Sequence, residues 1–202
     1  MNTNPYAAPQ ADLEDHTAHQ AGHQPAFYVV GIRKFSILFI ATLGLYVIYW
    51  FYANWKFYKA RTGSDIWPAP RAIFNIFFTH ALFARVQEKL DREGIEFRWS
   101  HGAVATTYVV LSLASNVLDR MSMKEIWVPQ SDILSVIMVF PLFYTVLTAQ
   151  KAINQAERDV QGRANDSLTW ANYLWIVFGV LIWAMFALGM LVITGVLNVE
   201  QV

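Results

Sequence analysis

The chain contains no cysteine among its 202 residues and carries little charge for its length. Without cysteine, the sequence excludes disulfides, thiolate nucleophiles and cysteine-ligated metal ions. Only 15% of the residues are charged, against about 25% in an average soluble domain, and the formal net charge is zero. Because no basic excess is present, the composition does not predict nucleic-acid binding.

Recognisable catalytic and cofactor-binding motifs are missing as well. The sequence has no GxSxG elbow, no HExxH pair, no phosphate-binding glycine loop and no dinucleotide fingerprint. We therefore expect a protein that is not an enzyme. We assign it no catalytic residue, no cofactor and no metal ion.

Long apolar blocks are what the sequence does contain. The block 170–197 has no charged side chain, and a helix of that length reaches about 42 Å. The hydrocarbon core of a bilayer is about 30 Å thick, so this block predicts a transmembrane helix. Three shorter blocks predict further spans at about 35–53, 102–118 and 133–149. The fold class we expect is an all-α integral membrane protein with about four transmembrane helices.

The first block, 35–53, is compatible with two structures. Its 19 residues are long enough to cross the bilayer as one helix, which is the structure we expect. The alternative is a re-entrant hairpin, in which the chain turns at Thr42-Leu43-Gly44 and leaves on the side it entered. A broken helix leaves backbone groups at the turn, which lipid tolerates only where neighbouring helices cover them.

The remaining segments complete the predicted organisation. Residues 1–26 are polar and acidic and predict a disordered tail, whereas 27–202 predict a single helical transmembrane domain. Residues 71–90 predict an amphipathic helix at the cytoplasmic interface, because their longest charge-free run is too short to cross hydrocarbon. On a helical wheel this helix separates a polar arc from an apolar one. The polar arc contains Arg71, Asn75, Thr79 and Arg85, and the apolar arc contains Ile73, Ile76, Phe77 and Phe83.

The distribution of positive charge predicts the orientation. The linker 54–101 carries eight Lys and Arg residues, the loop 150–169 three, the connector 119–131 two, and the C-terminal tail none. Since Lys and Arg near spans collect on the cytoplasmic side, we expect the linker and the 150–169 loop in the cytoplasm and the C-terminus outside. Arg33 and Lys34 then lie outside if the first block spans, and inside if it turns back.

Five basic side chains of the linker are candidate binding residues. They are Lys56, Lys59, Arg61, Arg71 and Arg85. A charge of this kind near an anionic leaflet contributes about 1 kcal/mol of attraction. The cluster predicts either contact with a lipid headgroup or phosphate, or the ordinary anchoring of a cytoplasmic segment.

Histidine supplies a weaker signal. His16, His19 and His23 are spaced as ligands of Zn²⁺, Ni²⁺ or Cu²⁺ can be, but no apolar pattern orders the tail that contains them. We interpret that tail as polar and without a metal. His80 lies in the predicted helix 71–90, where we expect a hydrogen-bonded packing residue rather than a ligand or proton carrier.

The predicted spans contain polar side chains but no ionisable Asp, Glu, Lys, Arg or His. Ion pathways and proton relays usually need such groups, so their absence disfavours a proton-coupled pump. We expect the polar side chains to form hydrogen bonds between helices. They are Thr106, Thr107, Ser112, Ser115, Asn116, Thr145 and Thr148.

One string of residues points to a family. Residues 35–63 contain the pattern TLG-[aliphatic]-Y-x-x-Y-W-F-Y, and PRAIFNIFF follows at 70–78. This part of the chain resembles a family of uncharacterised bacterial inner-membrane proteins that contain a domain of unknown function. The resemblance covers about half of the chain and implies a bacterial source and a multi-pass protein of the cytoplasmic (inner) membrane. It implies no activity.

The function we predict is the binding of a protein partner or of membrane lipids through the basic cytoplasmic linker. The identity of a protein partner is open, and a homo-oligomer is compatible with the sequence. The alternative is a small-solute transporter or channel that works as an oligomer, because the breaks expected at Gly44 and Pro141 are typical of transporter binding regions.

Overall fold

The computed structural model describes residues 24–194 and 196, and the regular secondary structure in that part of the chain is entirely helical. The helices are α1 (Ile32–Ala41), α2 (Tyr46–Thr62), α3 (Pro68–Ile73), α4 (Asn75–Arg92), α5 (His101–Met123), α6 (Gln130–Ala156) and α7 (Trp170–Ile193), with a 3-10 turn at Arg163–Asn165. Most of the predicted tail, residues 1–23, lies outside the described residues.

Helices α5, α6 and α7 are long and apolar enough to cross a membrane. They correspond to the spans predicted at 102–118, 133–149 and 170–197, although the end of the last one falls outside the described residues. The all-helical membrane class is confirmed to that extent. A fourth span is not confirmed, because the first apolar block folds differently.

The first block is a helical hairpin. Helix α1 ends at Ala41, Leu43 and Gly44 take positive φ angles of 50° and 85°, and α2 begins at Tyr46. The two helices run antiparallel, since the ring of Phe35 lies 6.0 Å from that of Tyr46, whereas Tyr28, seven residues earlier, bonds to Asn54 further along α2. The single span that we expected over 35–53 is therefore wrong, and the break occurs at the TLG sequence.

The predicted interfacial helix 71–90 is also different from our expectation. Helix α3 is followed by α4 after a bend at Phe74. In the first turns of α4 the polar side chains Asn75 and Thr79 are buried, whereas further along the helix Phe83 of the apolar arc is buried and Arg85 of the polar arc is exposed. Ile73 and Phe77, from the apolar arc, are 65% and 78% exposed. The reason is the solvent: in lipid, polar groups seek partners inside the protein, and apolar side chains can face outward.

Aromatic rings fill the core, and small residues let the helices approach. Trp50 and Phe51 of α2 are fully buried, and the ring of Phe35 stacks on that of Phe143 at 6.0 Å. Ala149 and Ala152 of α6 are fully buried, which brings the second half of that helix close to the hairpin. Helix α7 is mostly exposed. Its main packing partner among the described helices is α1.

The bundle has two distinct ends. The N-terminal strap (residues 24–31), the C-terminus of α4 and the loop 157–167 meet at what we call the proximal end, where Lys89 pairs with Glu157. The distal end is the α5–α6 connection and its flanks, residues 119–132. Because the hairpin returns, both of its termini lie at the proximal end.

Candidate functional site

The strap has no regular secondary structure, and buried side chains of α6 bind its backbone. Gln150 Nε2 donates to the Tyr28 carbonyl at 3.2 Å, and Asn154 Nδ2 donates to the Val30 carbonyl at 2.9 Å. The oxygen of Gln150 accepts a hydrogen bond from the Trp50 indole. These amides are fully buried, so they satisfy main-chain groups that no helix or sheet would satisfy.

Other elements bind the strap from the opposite sides. Asn54 Oδ1 of α2 accepts from the Tyr28 amide at 3.1 Å, and Asn165 Nδ2 donates to the Val29 carbonyl at 3.0 Å. The Lys34 ammonium donates to Asn165 Oδ1 at 2.6 Å. Burial lowers the pKa of Lys34, and the charge of Asp166 opposes that shift. No local sequence pattern predicts this cluster, because its members are up to 137 residues apart.

A buried ion pair closes the proximal end. Glu157 Oε1 accepts from the amides of Ala26 and Phe27 at 3.0 and 2.9 Å, and its second oxygen lies 2.6 Å from Lys89 Nζ. The side chain of Glu157 is only 2% exposed. The carboxylate is fully occupied by the strap and by Lys89, which indicates a structural rather than a catalytic role.

The turn of the hairpin is sealed by its own threonine and by α7. Thr42 Oγ1 donates to the Leu38 carbonyl at 2.8 Å and accepts from the Tyr46 amide at 3.0 Å. Gly179 of α7 packs against the turn so closely that a Cβ atom there would lie 2.1 Å from the Ala41 carbonyl oxygen. Gly179 is nine residues into α7, about 14 Å along the helix, which is close to half of the hydrocarbon thickness.

An apolar groove, which we call the membrane groove, runs between α2, α3 and α7. Its volume is about 380 Å³. The lining residues are Leu45 just before α2, Ile48, Tyr49 and Tyr52 of α2, Ala69, Ala72 and Ile73 of α3, and Trp175 and Phe178 of α7. The α2 residues recur at helical spacing, and the same face of α2 continues to Lys56 and Lys59. Two predicted site residues therefore follow the groove towards the proximal end.

The five predicted binding residues do not form one cluster. The Arg71 guanidinium stacks between Trp55 and Phe78, with ring centroids at 4.5 and 4.8 Å. Arg85 pairs with Glu88 at 2.8 Å on the exposed side of α4. Both guanidinium groups are thus engaged within the protein.

The remaining three lie on α2. Lys56 and Lys59 are exposed on the groove face, and the Lys59 ammonium also donates to the Ile66 carbonyl at 2.9 Å. Arg61 is exposed too, but its position is roughly opposite on the helical wheel, at ~140° from Lys56. Only Lys56 and Lys59 are placed to meet a ligand in the groove.

A second cavity, of about 440 Å³, lies between the hairpin turn, the α3–α4 bend, α5 and α6. Its polar lining includes Asn75, Tyr108, Ser112, Ser115 and Asn116. We expected the last three to form hydrogen bonds between helices, but Asn116 donates instead to the Ser112 carbonyl of its own helix at 2.7 Å. Ser112, Ser115 and Asn116 are spaced at i, i+3 and i+4, which places them on one face of α5. This spacing could have predicted a shared polar surface from the sequence.

Of the other polar residues in the spans, one bonds to another helix and two bond within their own helix. Thr106 bonds to His80 across helices at 3.0 Å, so the hydrogen bond expected of His80 is confirmed. The packing role expected of it is wrong, because His80 is exposed. Thr145 and Thr148 bond to carbonyls of their own helix, so the interhelical bonds expected of them are wrong.

The described part of the chain contains no candidate metal site. No group of three His, Asp or Glu side chains there is arranged to hold an ion. The three histidines of the tail lie outside the described residues.

Comparison of the chain with family models, curated proteins and solved structures gives no match. The family resemblance of residues 35–63 therefore stays a prediction.

Proposed function

We propose that this protein is a non-enzymatic, multi-pass protein of the bacterial cytoplasmic membrane that binds an anionic phospholipid. One acyl chain lies in the membrane groove, and the headgroup lies against Lys56 and Lys59. The observation that carries the proposal is the continuity of one face of α2, where the apolar groove residues lead directly to two exposed ammonium groups.

The dimensions of the groove fit one leaflet. From Leu45 to Lys56 the α2 axis rises about 16 Å, and half of the hydrocarbon core measures about 15 Å. A chain that enters beside Lys56 therefore ends near the turn of the hairpin. Tyr49 and Tyr52 each present an apolar ring with a polar hydroxyl, as side chains near the headgroup boundary commonly do.

The orientation that we propose has three spans and a re-entrant hairpin, with the proximal end in the cytoplasm. Of the 15 Lys and Arg residues, 13 then lie on the cytoplasmic side and the two distal ones, Arg120 and Lys124, lie outside. The groove consequently opens to the inner leaflet, where anionic lipid attracts basic side chains. A protein partner at the proximal end and a homo-oligomer remain predictions.

Native mass spectrometry with matched variants tests the lipid site. The full-length protein is titrated with phosphatidylglycerol, and with phosphatidylcholine as a zwitterionic control. We expect Lys56→Ala to weaken phosphatidylglycerol retention about fivefold, which is about 1 kcal/mol for one headgroup charge. Removing Lys59 as well should weaken it further, and Ala69→Trp should weaken it by filling the groove.

Arg61→Ala is the matched control, because it removes one exposed charge from the other side of the same helix. Retention should be unchanged in this variant. Equal losses in Lys56→Ala and Arg61→Ala would mean ordinary anchoring by surface charge, and would overturn the specific site. Unchanged phosphatidylglycerol retention in Ala69→Trp would contradict the placement of the acyl chain in the membrane groove.

The membrane groove does not explain the polar cavity. A binding cavity between the hairpin turn and the α3–α4 bend favours the second candidate function, the passage of a small solute. The observation that favours it is the pair of interruptions, at the hairpin turn and at the α3–α4 bend, that line one cavity whose walls carry both polar and apolar side chains.

A further inference from the structure

Helix α5 has one polar face along most of its length. On a 100° wheel this face falls within about 80° on either side of Tyr108, and it contains Tyr108, Ser112, Ser115, Asn116, Asp119 and Ser122. The opposite face contains Val110, Leu113 and Val117, which are 57%, 52% and 56% exposed. In a bilayer the second face contacts acyl chains, so the first must find polar surroundings.

The polar face meets the second cavity at its inner end. Tyr108 Oη donates to Asn75 Oδ1 at 2.7 Å, and both residues are buried, at 4% and 8% exposure. This bond joins α5 to the start of α4 at the wall of the cavity. Beyond it, the cavity is lined by Ser112, Ser115 and Asn116.

Two of these side chains, Ser115 and Asn116, retain hydrogen-bonding capacity. Asn116 uses its Nδ2 for the Ser112 carbonyl, while its Oδ1 accepts from none of the described residues. The Ser115 hydroxyl likewise has no hydrogen-bond partner within the described ranges, 24–194 and 196. Ser115 is half-buried and Asn116 is exposed, so both groups are reachable from the cavity. Polar groups at this depth are stable when water or a polar solute bonds to them.

The outer end of the same face lies at the distal end of the bundle. Asp119 of α5 accepts a hydrogen bond from Ser135 of α6, and Asp132 of α6 accepts one from Ser122 of α5. Two carboxylates therefore lie at the contact between α5 and α6 at this end. From Ser122 to Ser112 the helix rises about 15 Å, which is half of the hydrocarbon thickness.

We propose that α5 lines a vestibule that opens at the distal end and ends blind at the Asn75–Tyr108 bond. Its occupants are water and small uncharged molecules that carry hydroxyl or amide groups. No Lys, Arg, Asp or Glu lines the cavity, so an ion there would lack a counter-charge at a depth where that is costly. Asp119 and Asp132 at the mouth additionally disfavour anions.

Because the chain has no cysteine, single-cysteine variants give an unambiguous reading of the vestibule. The full-length protein carrying Ser115→Cys is reconstituted in vesicles and treated with two methanethiosulfonates, one with an uncharged hydroxyethyl group and one with an anionic sulfonatoethyl group. Each rate is divided by the rate for Met123→Cys, since Met123 is 84% exposed at the distal end.

We expect the uncharged reagent to modify Ser115→Cys within about tenfold of the Met123→Cys rate, because a thiol in water ionises and reacts. Val117→Cys, on the lipid-facing side two residues away, should react at least about a hundredfold more slowly. The anionic reagent should lag the uncharged one at Ser115→Cys by about tenfold or more.

A rate for Ser115→Cys as low as that for Val117→Cys would overturn the vestibule. Equal normalised rates for the two reagents would overturn the preference for uncharged solutes. Asn116→Cys provides a second position on the same face, so that a folding defect at one position does not decide the outcome. Modification of both positions by the anionic reagent applied only at the proximal side would also overturn the proposal, because it would place the opening at the wrong end.

Discussion

The indole of Trp183 donates a hydrogen bond to the Ile40 carbonyl at 3.1 Å, 143 residues away in the chain. Ile40 lies in the last turn of α1, where helix carbonyls have no partner within the helix itself. Near the middle of a bilayer, no water is available to satisfy such a group. Helix α7 thus completes the hydrogen bonding of the hairpin that it covers.

Replacing Trp183 by phenylalanine should destabilise the fold. The change keeps an aromatic ring and removes the donor, so the Ile40 carbonyl is left with its bond from the Leu43 amide at 3.2 Å, at a cost of about 0.5–1.5 kcal/mol. The measurement is the free energy of unfolding in mixed detergent micelles. Trp175→Phe is the control, because the Trp175 indole donates to none of the described residues; an equal loss there would show that ring size matters rather than the hydrogen bond.

Gly179→Ala should displace α7 from the hairpin. The new Cβ would lie 2.1 Å from the Ala41 carbonyl oxygen, which is backbone and cannot rotate away. We expect a lower midpoint of thermal unfolding, with a loss of about 1–3 kcal/mol from overpacking. Gly189→Ala adds the same methyl group to the same helix in open space, and it should leave the midpoint unchanged or slightly raised.

Asn154→Leu should release the strap. The variant has similar volume but loses the bonds from Asn154 to the Val30 carbonyl and to Gln150, so buried polar groups remain unpaired. We expect a loss of about 2–4 kcal/mol and faster cleavage by trypsin after Arg33. Gln155→Leu changes the adjacent residue, whose side chain bonds to no described group. Cleavage at wild-type rate in Asn154→Leu would contradict this role.

Lys89→Met should be strongly destabilising, because it leaves the Glu157 carboxylate buried without its cation. The expected loss is about 3–5 kcal/mol in the free energy of unfolding. Adding Glu157→Gln removes the uncompensated charge while keeping an oxygen for the strap amides. The double variant should therefore be more stable than Lys89→Met alone, and additive losses would show that the two side chains do not interact.

In the proposed topology, the re-entrant hairpin places the N-terminus on the cytoplasmic side. An epitope tag placed before Met1 should be protected when protease is added to spheroplasts, and it should be cleaved in inverted vesicles. A tag after Val202 should behave in the opposite way, because α5, α6 and α7 cross the membrane three times between them. Digestion of both tags from the same side would contradict the proposed topology.

The parts of the fold that the sequence predicted depend on local composition. The charge-free run of α7 and the apolar runs of α5 and α6 are sufficient in themselves, because hydrocarbon rejects charge wherever the rest of the chain lies. The hairpin is different, since 35–53 is equally suited to a span. What decides it is Gly179 and Trp183, which lie more than a hundred residues downstream.

The prediction for helix α4 was wrong for a related reason. A helical wheel separates a polar arc from an apolar one, but it does not state which arc faces the protein. Asn75 finds Tyr108 inside the bundle, and Phe77 faces outward. In the candidate site, the spacing on α2 was enough to place Lys56 and Lys59 on one face, whereas Arg71 is engaged by Trp55, a partner that no local pattern indicates.

The strap imposes an order on how this protein is made. Its amides and carbonyls are bound by Asn154, Glu157 and Asn165, which are translated more than a hundred residues later. Until those residues are synthesised, the backbone groups of the strap lack these partners. A chain that terminates before Asn154 therefore leaves the strap unbound and open to proteolysis.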